Sequence, residues 1–169
     1  MSMKNIIEVQ NITKYFDDLT ALDDLSLKVC EGEIYGLLGS NGAGKSTTIN
    51  ILLGFLQPEM GKATINGIDA VTNSNQSRKY IGYIPENVSL YGYLSGVENL
   101  DYFCKLAGKS HTEDQLRELL RESGLDDEAH NKRIKTYSKG MRQKVGIAIA
   151  LAKKAKVYLL DEPASGLDP

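Results

Sequence analysis

The chain has 169 residues, of which 41% are hydrophobic and 25% are charged, the balance of an ordinary soluble globular protein. Its 20 basic and 22 acidic residues give a formal charge of −2, which argues against a broad basic surface for nucleic acid. Two cysteines are too few for a disulfide framework, and no apolar run approaches the roughly 20 residues that span a bilayer. Composition therefore predicts a cytoplasmic protein with reduced thiols and one well-buried domain.

The first third of the chain predicts strands, then a glycine-rich loop, then a helix. Apolar and polar side chains alternate over 6–12 and 25–29, a pattern typical of half-buried strands. The apolar run Ile34–Leu38 predicts a fully buried strand. After the glycine-rich loop, a helix is predicted from 45 to about 53, and a further short strand at Lys62–Asn66.

The rest of the chain alternates helical patterns with short strands. A strand is predicted at Tyr80–Ile84, and capping boxes at 95–98 and 112–115 each begin a helix with an apolar stripe. A third helix is predicted to be capped by Ser138 and to run to about 154, and Val157–Leu160 is a second buried strand. Strand, loop, helix and buried strand in this order predict an α/β fold with a mostly parallel sheet.

The glycine-rich loop carries the most specific motif. It matches G-x-x-x-x-G-K-[S/T] and lies between a predicted strand and a predicted helix. Its glycines let backbone N–H groups point at phosphate oxygens, and the helix start adds about half a positive charge. The lysine suits the β- and γ-phosphates, and the serine suits Mg²⁺. The predicted site for ATP and Mg²⁺ consists of Gly39, Ser40, Asn41, Gly42, Ala43, Gly44, Lys45, Ser46 and Thr47.

Two adjacent carboxylates follow the buried strand 157–160. Asp161 suits the Mg²⁺ shell, since hard oxygen ligands are those that Mg²⁺ prefers. Glu162 suits a general base acting on the attacking water, and it is the predicted catalytic residue. An apolar run that ends in Asp-Glu is weak evidence alone, but downstream of a phosphate-binding loop it predicts hydrolysis of the nucleotide.

The segment Tyr137–Gln143 reads Tyr-Ser-Lys-Gly-Met-Arg-Gln. It resembles the signature of the nucleotide-binding domains of ABC (ATP-binding cassette) proteins, usually Leu-Ser-Gly-Gly-Gln, and it precedes the Asp161 strand as in that family. In the family, two domains pair head to tail around ATP, and the resemblance implies that Ser138 and Gly140 contact the γ-phosphate held by the opposite domain. A plain helix cap explains Ser138 equally well.

The same resemblance implies a fold and a domain organisation. The fold is that of a P-loop NTPase, with a mostly parallel sheet, an N-terminal antiparallel β part and an inserted helical subdomain at approximately 87–137. Residues 1–169 form a single ABC domain, which we expect to be incomplete at its C-terminal end because the family's switch histidine follows later. The two histidines present, His111 and His130, are predicted to be surface residues.

Further segments resemble other parts of the family pattern. The aromatic that stacks on adenine is predicted to be Phe16, with Tyr15 as the alternative, and 164–168 resembles the D-loop. Glu86 stands where the family usually has a glutamine near Mg²⁺, and we expect it to hold a metal-bound water. Within the signature, Lys139 and Met141 also depart from the common form.

The resemblance implies an ATP-binding subunit on the inner face of the cell membrane, which hydrolyses ATP to drive a separate transmembrane permease. Glu86 together with the signature string Ser-Lys-Gly-Met is similar to the variant of bacterial export-type ATPases for drugs, peptides or other toxic compounds. Two alternatives remain: a truncated domain that binds ATP without efficient turnover, and a soluble ABC ATPase unrelated to transport. A small GTPase is disfavoured, because 131–134 lacks the aspartate of the guanine-reading motif Asn/Thr-Lys-x-Asp.

Overall fold

The computed structural model describes residues 4–162. The chain divides into two compact units, the first ending at Ile81 and the second beginning at Gly82. The N-terminal unit is built on an antiparallel sheet, and the C-terminal unit on three helices and a pair of strands.

The sheet of the N-terminal unit has the strand order β2-β1-β3-β4, and every neighbouring pair is antiparallel. Its strands are β1 (Asn5–Phe16), β2 (Leu19–Cys30), β3 (Met60–Ile65) and β4 (Ile68–Asp69). The first two form a hairpin closed by a two-residue turn, in which Asp17 has a φ of 49°. Aspartate tolerates the left-handed conformation that such turns require. This sheet confirms the predicted N-terminal antiparallel part.

Helix α1 (Lys45–Leu52) packs against β2 and β3, and the short helix α2 (Ser74–Ser77) follows β4. The predicted helix is therefore confirmed, and its C-cap Leu53 is followed by Gly54, whose φ is 67°. The apolar faces of the sheet and of α1 form the core of this unit. Its buried hydrophobic residues are Ile6, Ile7, Val9, Ile12, Leu22, Val29, Ile49, Ile51, Leu52, Leu53, Ala63, Ile65 and Ala70.

The prediction of a buried strand at Ile34–Leu38 is wrong. This segment is neither helix nor strand, and the exposed fractions of Ile34 and Leu38 are 100% and 96%. A fully buried strand needs partners on both edges and cover on both faces. None of the strands within 4–162 pairs with this segment, so its apolar run does not become a strand there.

Strand β5 (Ile81–Ile84) lies where the C-terminal unit begins, and β6 (Val157–Leu160) is the last strand among the described residues. These strands form a parallel pair, and the N–H of Asp161 donates to the carbonyl of Ile84 at 3.0 Å. Between them lie helices α3 (Gly96–Leu106), α4 (Glu113–Glu122) and α5 (Lys139–Ala152), which pack against one another pairwise.

Both predicted capping boxes are present. The Ser95 hydroxyl accepts from the N–H of Glu98, whose carboxylate accepts from the N–H of Ser95, and Thr112 and Gln115 pair in the same way. Each box fixes where its helix begins and so which face turns inward. The three helices enclose a core of Leu100, Cys104, Leu116, Leu120, Leu125, Ala129, Ile134, Tyr137, Val145, Ala148 and Ala152.

The prediction that His130 is a surface residue is wrong, because its side chain is completely buried. Its Nε2 lies 3.1 Å from the carbonyl oxygen of Leu125, and its own carbonyl accepts from the N–H of Val97 at the start of α3. The same Nε2 lies 3.7 Å from Oδ1 of the exposed Asp127 carboxylate. The histidine therefore joins the loop before α5 to the start of α3.

Both cysteines are free thiols, as expected from the composition. Burial raises the pKa of Cys104 to about 11, so that this thiol stays neutral at ordinary pH. Among residues 4–162, no helix has the length and hydropathy needed to cross a bilayer.

Candidate functional site

The glycine-rich loop of the N-terminal unit leads directly into α1. Gly42 and Gly44 have φ angles of 85° and 84°, in the left-handed region, and Gly44 is the N-cap of the helix. A Cβ atom at Gly44 would lie 2.6 Å from the carbonyl oxygen of Ala21, closer than real contacts allow. Glycine is therefore required at this position for both conformation and space.

The ammonium group of Lys45 folds back over this loop. Its Nζ donates to the carbonyls of Gly39 and Ser40 at 2.8 and 2.9 Å. At the other side of the helix start, the Thr48 hydroxyl donates to the carbonyl of Gly44 at 2.9 Å. The cation thus lies beside the loop backbone, where it can turn to an anion that enters the loop.

The loop has the features that a phosphate group needs. Ser40, Asn41 and Gly42 are exposed, and the first turn of α1 contains no acidic residue. The positive end of the helix dipole and the neighbouring N–H groups are therefore open to an anion from solution. Ser46 is exposed at the second position of the helix, where its hydroxyl oxygen could reach a metal ion that accompanies the phosphates.

The predicted adenine-stacking residues lie at the end of β1 in the same unit. Phe16 and Tyr15 are similarly exposed, at 42% and 44%, and the Nζ of Lys14 lies 5.3 Å from the centre of the Phe16 ring. Glu59 holds this segment, since its carboxylate accepts from Lys14 Nζ at 2.7 Å and from the Tyr15 N–H at 2.9 Å. The hydrogen bond from Lys14, followed by that from Tyr15, lowers the pKa of Glu59. Both rings are therefore partly exposed, with Lys14 over one face of Phe16.

In the C-terminal unit, Ser138 is the N-cap of α5. Its hydroxyl accepts from the N–H of Met141 at 3.1 Å, its side chain is exposed, and the first turn contains no acidic residue. Gly140 lies half-buried in that turn. The guanidinium of Arg142 donates to the carbonyl of Tyr137 at 2.6 Å and so fixes the approach to the helix. This helix start can face an anion.

The two predicted carboxylates follow β6. Asp161 is half-buried beside the end of β5, and Glu162 is exposed with a φ of 46°. Burial and then the charge of Asp161 raise the pKa of Tyr83, which lies on β5. Asp161 is therefore held by the sheet, and Glu162 points away from it into solvent.

Glu86, predicted to hold a metal-bound water, has an ion-pair partner in the structure. Its Oε1 lies 3.7 Å from the Nζ of Lys139, and the two side chains are 45% and 40% exposed. Within residues 4–162, no three His, Cys, Asp or Glu side chains come together as a metal site. The metal role of Glu86 stays a prediction, and sequence reasoning did not identify Lys139 as its partner.

Each unit assembles part of the predicted site. The N-terminal unit brings Lys45 onto the glycine-rich loop, and the C-terminal unit brings Glu86 to the start of α5 and Asp161 to the end of β5. Segment 164–168, predicted to resemble a D-loop, lies outside the described residues.

Comparisons with known proteins agree on one family. The sequence profile of the ABC transporter family matches residues 22–165. An uncharacterized ABC transporter ATP-binding protein, YhcH of Bacillus subtilis, is 43% identical over 167 residues, which are 99% of this chain and 54% of that protein. The bacitracin transport ATP-binding protein BcrA of Bacillus licheniformis is 39% identical, with the same two coverages.

A solved structure is similar along nearly the whole chain. It is the dimeric ATP-binding cassette MJ0796 in a post-hydrolysis state with ADP and Pi, and it matches with a TM-score of 0.84 and 26% identity. The match covers 96% of this chain and 76% of the solved chain. By contrast, the chain spans about half the length of the curated relatives that it matches.

Proposed function

Since the chain belongs to the ABC transporter family, we propose that it forms the ATP-binding part of a transporter, which hydrolyses ATP to drive a separate membrane subunit. The family binds ATP, and a solved relative holds ADP and Pi after hydrolysis. The observation that carries the proposal is the exposed glycine-rich loop, with Lys45 folded over it at the start of α1.

The N-terminal unit supplies the groups that hold the triphosphate. The N–H groups of the loop 39–47 and the positive end of α1 bind phosphate oxygens, and Lys45 exchanges its carbonyl partners for the β- and γ-phosphates. Phe16 stacks on the adenine, with Tyr15 as the other candidate, because both rings are exposed at the end of β1. These groups of the N-terminal unit account for ATP binding, and none of them needs to take part in hydrolysis.

Hydrolysis needs an activated water and a neutralised phosphate. We assign the general base to Glu162, because its exposed carboxylate follows the strand that holds Asp161. Mg²⁺ supplies charge neutralisation of the phosphates when it is bound. Ser46, Asp161 and Glu86 are the residues proposed to hold it or its water shell, since their hydroxyl and carboxylate oxygens are hard ligands.

The second domain and the membrane partner belong to the same proposal. A second copy of the domain contacts the γ-phosphate through its Ser138 and Gly140, which lie at a helix start without acidic residues. The solved relative is dimeric, and BcrA is named for bacitracin transport. These likenesses support an export-type transporter with the ATP-binding part at the inner face of the cell membrane.

The chemical assignment is tested by Glu162→Gln in the ATP-hydrolysing protein. The amide keeps the shape of the side chain but cannot accept the proton, so we expect kcat to fall by about 100-fold or more, with ATP affinity unchanged. Steady-state phosphate release measures kcat, and equilibrium titration measures affinity. Glu122→Gln, at the exposed end of α4, is the matched control and should behave as the parent.

Two results would contradict this proposal. Turnover of Glu162→Gln at the parent rate would remove Glu162 as the base. Absence of any ATP binding by the parent protein would remove the function itself.

A further inference from the structure

The loop that follows β5 runs along one face of α5. Gln143 is almost completely buried, and its side-chain amide donates to the carbonyl of Pro85 at 3.3 Å. Three residues further along the chain, Val88 packs so closely on Gly146 that a Cβ there would lie 2.7 Å from its side chain. The two ends of the loop segment 85–88 are therefore both held by the helix.

Glu86 lies between these two contacts, and its carboxylate reaches the first turn of the helix. The partner is Lys139, with Oε1 and Nζ 3.7 Å apart. The three helix positions that touch the loop, 139, 143 and 146, follow the i, i+4, i+7 spacing of a single helix face. The ion pair is thus one member of a continuous stripe of contacts.

The charges at the start of α5 explain why a carboxylate is stabilised there. The first turn of α5 has no acidic residue of its own, and it begins with the positive charge of Lys139 next to Ser138. A carboxylate near a helix N-terminus is stabilised by the helix dipole, and an ammonium group adds to that attraction. Glu86 supplies from the loop the negative charge that the helix itself lacks.

We propose that Lys139 is a positioning residue for the ATPase reaction, because its ammonium group holds the Glu86 carboxylate against the first turn of α5. The loop 85–88 and the helix end that carries Ser138 then respond to ATP together. Glu86 and Lys139, which both depart from the common family pattern, compensate each other in charge. This inference rests on the proposed ATPase function.

The test is a double-mutant cycle in steady-state ATP hydrolysis. Because both side chains are partly exposed, Glu86→Gln and Lys139→Gln should each lower kcat by about two- to fivefold, with the KM for ATP nearly unchanged. The double variant should be no slower than the slower of the two single variants. Raising the salt concentration should shrink the coupling.

Lys144→Gln is the matched control, since it removes the same charge from the same helix. Its side chain lies near Gly124, away from the loop 85–88, and its rate should equal that of the parent. A urea-unfolding cycle on the same variants reports the coupling without activity. It should also show non-additive effects.

Two outcomes would overturn the inference. They are additive effects of the two single variants in both cycles, or no effect of Lys139→Gln on kcat. If the parent protein hydrolyses ATP and this activity depends on Lys45, either of these results would exclude only the role of the ion pair. Lack of ATP hydrolysis by the parent removes the proposed function instead.

Discussion

The starts of α1 and α5 are both free of acidic residues in the first turn, yet they are built differently. Helix α1 begins after a left-handed glycine, Gly44, within a loop over which Lys45 is folded. Helix α5 begins after Ser138, whose hydroxyl already accepts from the N–H of Met141. One start is enclosed by a loop and a cation, whereas the other is a capped and exposed helix end.

This difference indicates that the two helix starts would contact a phosphate in different ways. A glycine cap leaves the backbone donors of α1 to the incoming phosphate, and the loop around them makes a complete anion site. A serine cap satisfies one donor of α5 internally, so that this end offers a hydroxyl and a dipole but no enclosure. We therefore expect changes at α1 to weaken ATP binding and changes at α5 to affect turnover.

The largest effect on stability is expected for Gly44→Ala, which alters the loop-enclosed start of α1. A left-handed φ and a Cβ 2.6 Å from the carbonyl oxygen of Ala21 should together lower the free energy of unfolding by about 2–4 kcal/mol. Urea unfolding measures the change. Gly32→Ala is the matched control, because Gly32 has a φ of 82° but open space around it, and should cost only about 1 kcal/mol. Equal losses in both variants would contradict the close approach.

Lys45→Ala should come next in size. Removing the ammonium group deletes charge-assisted hydrogen bonds to the phosphates, so ATP affinity should fall by about 10- to 100-fold. Titration with a fluorescent ATP analogue measures this affinity. Lys28→Ala, which removes a largely exposed lysine from the same unit, should bind like the parent. Unchanged binding by Lys45→Ala would exclude the loop as the ATP site.

Ser138 can be tested with two substitutions that separate capping from ligand contact. Ser138→Ala should lower the free energy of unfolding by about 1 kcal/mol, whereas Ser138→Gly should cost only a few tenths. Both variants lose the hydroxyl, so they should slow ATP hydrolysis equally and leave ATP affinity unchanged. Urea unfolding and phosphate release provide the two readouts. If turnover instead followed stability, with Gly close to the parent, Ser138 would be only a helix cap.

The smallest effect concerns pH and the segment that presents Phe16. Hydrogen bonds from Lys14 and from the Tyr15 N–H hold the pKa of Glu59 below its ordinary value of 4.5. The stability that they contribute is present above pH 4.5 and is lost as the pH falls through the lowered pKa. Glu59→Gln should therefore be less stable than the parent at pH 7, and the difference should vanish in stronger acid. A difference independent of pH in urea unfolding would contradict this origin.

The features that the sequence could predict are local ones. The capping boxes at 95–98 and 112–115, the Ser138 cap and the start of α1 depend on residues within one or two helical turns, and all are observed. The glycine-rich loop is equally local, because its motif determines its own backbone. Periodicity and cap chemistry are sufficient for such features.

The features that were missed depend on distant neighbours. The apolar run Ile34–Leu38 is exposed because no described strand pairs with it, and His130 is buried because α3 and the loop before α5 close around it. The pairing of Glu86 with Lys139 joins a loop to a helix far along the chain. Burial and ion pairing of this kind are properties of the packed structure and not of a sequence window.

The central claim is that the loop at 39–47 in the N-terminal unit binds the phosphates of ATP. Hydrogen–deuterium exchange of the backbone amides, with and without Mg²⁺ and ATP, tests it most directly. We predict slower exchange at 40–47 in the presence of ATP, and a smaller slowing in Lys45→Ala at the same ATP concentration. Exchange at 40–47 that is unaffected by saturating ATP would contradict the account.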